Sequence, residues 1–275
     1  MNQRNRSSGW KHAKLSGHTN EENIRDQLNN NKDFRKELEI ILQADIEEAR
    51  SDGRKEKKVE SVFNKKLTSS KTDLKVISKN KVFNISIKKS KAGQASLITV
   101  KRFIQGMSRH FSIELTSKEL QAINLFFGDD PNQIKRIINS LETSQIDSKI
   151  KCYERRKQRL TIKSIELYDG DLPSILLNFF INYSKEIFLF CFSRGLAVNS
   201  EDWAEYLWYI NTIEKGDNYN QLFKIEDIAS KIESSNIFGF GTKNGGTTIQ
   251  LPFGDVQWHL GQMQFRHNYK KISNL

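Results

Sequence analysis

An aspartate, a serine and a lysine, Asp73, Ser86 and Lys88, stand at positions that could form one reactive group. The segments TDLKVIS (72–78) and KVFNISIKK (81–89) read as two strands, with Lys79-Asn80 as a two-residue turn in which Asn tolerates left-handed geometry. That turn length sets the register. Ser78 then faces Lys81, and Asp73 lies directly opposite Ser86. Opposed residues share a face, with Cβ atoms about 4.5–5.5 Å apart. Lys88, two residues beyond Ser86, points the same way. Phe83, Ile85 and Ile87 supply the apolar face behind them. A carboxylate beside an ammonium suits hydrolysis of a phosphodiester. Asp73 is expected to bind Mg²⁺, with Mn²⁺ able to substitute, because such ions take oxygen ligands and keep several waters. The ion polarises the phosphate and activates a water, and Lys88 orients that water or stabilises charge at phosphorus. The plain alternative is a cross-strand salt bridge on a wet surface.

Glu21 is the candidate second anionic ligand. Thr19 to Glu22 reads as a capping box, so a helix is expected to start at Asn20. Glu21 shares a stripe of that helix with Ile24, Arg25 and Leu28. The apolar part of the stripe faces the protein and would lean Glu21 inward. The alternative is that Glu21 serves the helix dipole or pairs with Arg25.

The surrounding helices and strands follow from the apolar pattern. A second helix carries Phe34, Leu38, Ile41 and Leu42 on one face, and residues 50–71 form a lysine-rich connection. A strand is expected near 95–100 and helices over 101–111, 117–127, 131–142 and 172–185. Ile187–Phe192 reads as a buried strand; Trp203–Ile210 and Ile225–Ile232 read as helices. The C-terminal 40 residues change to strand-like TTIQLPF, DVQWH and QMQFRHNY. No domain boundary stands out, so one mixed α/β unit is expected.

Composition narrows the partners. The formal net charge is +11 and the pI about 9.5. Residues 51–100 hold 13 Lys/Arg against 4 Asp/Glu, which fits a polyanionic partner or a plain solvated basic face. Cys152 and Cys191 stand in no metal-ligand spacing and fit a reducing cytoplasm. The polar N-terminus, and the polar breaks in the apolar stretch around Ile175–Phe192, argue against a membrane role.

The segment containing Asp73, followed by ISIKKS and KAGQ, resembles the nuclease core of type II restriction endonucleases of the PD-(D/E)xK superfamily. GWKHAKLSGHTNE and TTIQLPFGDVQWHLGQMQFRHNYKKI resemble terminal blocks of the same group. The resemblance implies an α/β fold: a central mixed β-sheet flanked by helices, with a helical insertion and a C-terminal β segment. It divides one nuclease domain into a core over 19–103 and 187–212, an insertion over 104–186 and a recognition segment over 237–275. It makes Asp73, Ser86, Lys88 and Glu21 the catalytic set, with Asp73 and Glu21 on the metal. It also implies double-stranded DNA as substrate, a homodimer on a palindromic site and a protecting methyltransferase. Ser86 departs from the family's usual carboxylate and shifts weight onto Glu21. Lys14, Lys89, Lys91 and Gln94 are the expected backbone contacts. Gln262, Gln264 and Arg266 alternate with Met263 and Phe265 and suit base edges or, equally, form a plain exposed strand face; Gln257 and His259 form a similar pair. His12 and His18 read as phosphate contacts or plain structure. Two alternatives stay open: a repair or structure-selective nuclease, and a DNA-binding protein with a degenerate core.

Overall fold

The computed structural model describes residues 6–51, 58–63, 67–141, 145–213 and 219–275, with side chains from Gly17 onward. The chain divides into two compact units, Met1–Lys91 with Phe192–Asp227, and Ala92–Cys191 with Ile228–Leu275. The sequence pattern marks no such boundary, because each unit is assembled from two distant stretches.

The first unit opens with α1 (Arg6–Asn30) and α2 (Lys32–Leu42), then β1 (Ile46–Ser51), β2 (Val59–Glu60), β3 (Leu67–Thr68), β4 (Leu74–Ser78) and β5 (Val82–Lys88). The chain returns to this unit for β7 (Tyr206–Ile210) and β8 (Asn220–Lys224). Its sheet has the order β1-β4-β5-β7-β8. β5 and β7 run parallel and the other pairs antiparallel. Ile24 and Leu28 of α1 and Leu38 and Leu42 of α2 pack on Leu74, Val76, Phe83, Ile85, Ile87 and Trp208. The expected mixed sheet flanked by helices is therefore present.

Helix α1 does not begin at Asn20. It runs through Thr19, so the Thr19–Glu22 pattern lies in a helix interior. Asn31 ends it and caps α2, accepting from the amides of Asp33 and Phe34. On α2 the line Phe34, Leu38, Leu42 faces the core, whereas Ile41 is 52% exposed. Residues 206–210, expected to be helical, form β7. YLWYI is a short aromatic and apolar run that lacks helical periodicity, and aromatic residues favour strands.

The second unit begins with β6 (Ala92–Ile98), then α3 (Val100–Phe111), α4 (Ser117–Phe127), α5 (Pro131–Ser140), α6 (Ser148–Lys157), α7 (Ile162–Tyr168), α8 (Leu172–Asn182) and α9 (Ser184–Leu189). Ile187–Phe192, expected as a strand, continues α9 into a π-helical turn over Phe190–Arg194. Helix α10 (Ile225–Glu233) leads to β9 (Gly239–Phe240), β10 (Thr248–Leu251), β11 (Gly254–His259), β12 (Gln262–Asn268) and α11 (Tyr269–Ser273). A second, antiparallel sheet has the order β6-β12-β11-β10-β9. Phe103 of α3 anchors its core, with ring centroids 5.3 Å from Phe265 and 5.4 Å from Phe190. Leu260 and Gly261 turn between β11 and β12 with φ of +49° and +78°.

Among the described residues no single helix is long and apolar enough to cross a membrane. α8 with the α9 segment passes that test jointly, but bent by 66°, and Leu172, Leu176, Phe179, Phe180, Ile187 and Phe188 on it are fully buried.

Candidate functional site

The β4–β5 hairpin pairs Leu74 with Ile85, Lys75 with Asn84, Val76 with Phe83 and Ile77 with Val82. This is the register that a Lys79-Asn80 turn imposes. Asp73 lies just before β4, and its amide donates to Ile85 O at 2.9 Å. From there its carboxylate reaches across to β5. Asp73 Oδ2 accepts from the Ile87 amide at 2.7 Å and from Ser86 Oγ at 3.1 Å. Lys88 Nζ donates to Ser86 Oγ at 2.7 Å and to Ile87 O at 3.1 Å, and sits 3.9 Å from Asp73 Oδ2. The three side chains expected on one face thus form one hydrogen-bonded chain, with Ser86 relaying between ammonium and carboxylate. Ser86 is buried; the Asp73 and Lys88 side chains are 26% and 19% exposed.

Glu21 joins this group electrostatically. Burial, and behind it the negative charge of Asp73, push its carboxyl up to about 7, against the opposing pull of His18 and Lys88. A half-hidden carboxyl carries such a shift when its charge is short of compensation. Glu21 is not paired with Arg25, which binds Asp26 at 2.6 Å. Its partner is His18, one turn earlier, with Nδ1 and Oε2 3.2 Å apart. Helix α1 is pinned at this level by Asn20, fully buried. Asn20 Nδ2 donates to Ile210 O at 3.0 Å, and Oδ1 accepts from the Thr212 amide at 2.9 Å. The i, i+3 spacing of His18 and Glu21 was the available signal for the first contact; no local pattern announces the second.

Two carboxylates fit a small divalent cation that retains most of its water, whereas the Ser86 hydroxyl is taken up by Lys88 and Asp73. The uncompensated charge that Glu21 and Asp73 place on each other is what such an ion would neutralise. Among the described residues there is no group of three or more His, Cys, Asp and Glu able to hold a metal, so a site enclosed wholly by protein ligands does not fit.

The expected DNA contacts fall in separate places. Lys14 lies outside the described side chains. Lys89 O accepts from the Tyr219 hydroxyl, and Lys91 Nζ lies 5.2 Å from the Tyr219 ring centroid. Gln94, on β6 of the second unit, is exposed. Gln262, Gln264 and Arg266 are partly exposed on β12, where Met263, Phe265 and His267 alternate with them into the core.

No protein-family model and no curated protein matches the chain. Among solved structures, the restriction endonuclease MspI in complex with its cognate DNA is similar over 90% of this chain and 83% of that one. The identity is 13% and the TM-score 0.45. The site described above rests on its own geometry.

Proposed function

We propose that this chain is a divalent-cation-dependent deoxyribonuclease of the restriction-endonuclease kind, hydrolysing phosphodiester bonds in double-stranded DNA at a short sequence. The observation that carries the reading is the hydrogen-bonded chain Asp73–Ser86–Lys88 with Glu21 in electrostatic reach of it. The basic balance of the sequence supports a polyanionic substrate.

Each residue has a distinct task. Asp73 and Glu21 would hold the ion, Mg²⁺ in the first instance and Mn²⁺ as substitute. When bound, the ion would polarise the phosphate and make a water acidic enough to give up its proton, so that hydroxide attacks phosphorus as the P–O bond to the leaving oxygen breaks. Asp73 is held in place by the Ile87 amide, which fixes one carboxylate oxygen against β5, the middle strand of the sheet. Lys88 brings a positive charge to where negative charge develops on the phosphate. Ser86 stands where a second carboxylate is usual in the superfamily. It holds the Lys88 ammonium beside Asp73 but leaves Glu21 as the other anionic ligand. A homodimer on a palindromic site and a partner methyltransferase belong to the same reading.

Digestion of a sequenced plasmid with Mg²⁺, with mapping of fragment ends, tests it. Discrete fragments are expected; indiscriminate degradation would favour a repair or structure-selective nuclease. Asp73→Ala and Lys88→Ala are expected to lose cleavage by at least ~10²-fold while retaining salt-sensitive DNA binding. Normal cleavage by either variant would overturn the site. The serine in the carboxylate position favours one second reading, a DNA-binding protein without catalysis, which predicts binding and no cleavage with either ion.

A further inference from the structure

The second unit's sheet presents, on the face away from its core, two cross-strand pairs in register: Asp255 opposite Arg266, and Gln257 opposite Gln264. Gln94 of β6 faces Arg266 from the other side, after a bulge between Phe265 and Arg266. The amides form a ladder across three strands. Gln257 Nε2 donates to Gln264 Oε1 at 2.8 Å, and Gln264 Nε2 to Gln94 Oε1 at 3.2 Å. Arg266 Nε donates to Asp255 Oδ1 at 2.7 Å, and the Arg266 side chain makes no other hydrogen bond among the described residues. Their side chains are 42% and 27% exposed, so both are accessible to a ligand.

Charge decides what kind of ligand. A guanidinium that serves a phosphate gains from being unneutralised, and a carboxylate bonded to it repels the phosphate. Asp255 neutralises Arg266, and its neighbours Gln94, Gln257 and Gln264 are uncharged; the Lys271 ammonium, which also feels Asp255, is turned onto Leu251 O and Gly254 O. Such a face suits neutral hydrogen-bonding edges. Asp255 occupies the Nε side of the guanidinium and leaves the Nη1–Nη2 edge, a planar two-donor fork. Guanine O6 and N7 match such a fork in the major groove, and the N4 amino group of cytosine matches a carboxylate oxygen. As a surface ion pair alone the contact stabilises the fold little.

We propose that Arg266 reads a guanine of the target duplex, that Asp255 is its positioning residue and an acceptor for the paired cytosine, and that the target therefore contains a G·C pair read on this face. The inference rests on the nuclease reading above. Asp255 was not among the residues that sequence spacing singled out. Its signal is its cross-strand position, which needs the β11–β12 register.

The test begins with the mapped cleavage site. Duplexes are made in which each guanine in turn is replaced by 7-deazaguanine, which lacks N7. For the wild type, one replacement is expected to lower kcat/KM by ~10-fold or more. Arg266→Ala should cleave poorly and lose the difference between guanine and 7-deazaguanine there. Asp255→Asn should keep its melting temperature, bind non-specific DNA more tightly through the lost negative charge, and lose discrimination at that base pair. A merely structural ion pair would not produce that opposed pair of changes. A target without G·C, or an Arg266→Ala enzyme that keeps the full 7-deazaguanine penalty, overturns the proposal while the nuclease reading stands. Unaltered discrimination in Asp255→Asn removes Asp255's role alone. A wild type that neither binds nor cuts DNA overturns both readings.

Discussion

Glu21 makes the candidate site sensitive to pH. Its carboxyl is pushed up to about 7 from 4.5 by burial first and by Asp73 second. The folded chain therefore holds this proton more tightly than the unfolded one. The stability so gained is complete below pH 4.5 and is lost as pH rises through 7. At 1.36 kcal/mol per unit the loss is of order 3 kcal/mol at most. Glu21→Gln should flatten the dependence, and thermal melts at pH 5 and pH 8 measure it. Millimolar Mg²⁺ should restore stability at pH 8 in the wild type and fail to in Asp73→Ala; equal responses would argue against an ion held between these carboxylates. Ser86→Ala removes one of the two acceptors of the Lys88 ammonium and should cost about 1 kcal/mol of stability, with a loss of cleavage read by single turnover. Half of this site was legible in the chain. A two-residue turn fixes a register, so Asp73, Ser86 and Lys88 could be placed together from numbering alone. The approach of Glu21 to Asp73 depends on how α1 is pinned by Asn20 against Thr212, a contact between residues far apart that leaves no periodic trace.

The hairpin of β11 and β12 carries a local conflict. Leu260 takes φ +49° at the turn and is 76% exposed, in a conformation that favours Gly or Asn. Leu260→Gly should stabilise the second unit by about 1 kcal/mol, read as a higher melting temperature. Ile85→Ala, by contrast, empties a fully buried position at the centre of the first sheet and should cost ~2–5 kcal/mol. Elements with strong alternation or clear caps were readable from sequence: α4 with its Thr116–Glu119 capping box and Gly128 stop, and β12 with its strict in–out pattern. Residues 187–192 and 206–210 were not. Both are short apolar runs buried over all or nearly all their length, and burial on all sides erases the periodicity that separates helix from strand.

At the scale of the whole chain the charge balance predicts one general property. With a net charge of +11, DNA affinity should fall by at least ~10²-fold between 50 and 200 mM salt, measured by anisotropy without divalent cation. Salt-insensitive binding would remove the phosphate footprint from the account. The two-unit division also has a consequence for synthesis. The central strand β5 takes its parallel partner β7 from beyond residue 205, and β6 takes β12 from beyond residue 261. Neither sheet can close until most of the chain has left the ribosome, which makes folding slow and late. The Asp73–Lys88 hairpin emerges early. The clasp that holds α1 against it, Asn20 on Ile210 and Thr212, arrives only with the second half. A half-made copy thus carries Asp73, Ser86 and Lys88 without the contact that brings Glu21 to them, so on the proposed reading the order of translation itself would delay any activity in the cell that makes it.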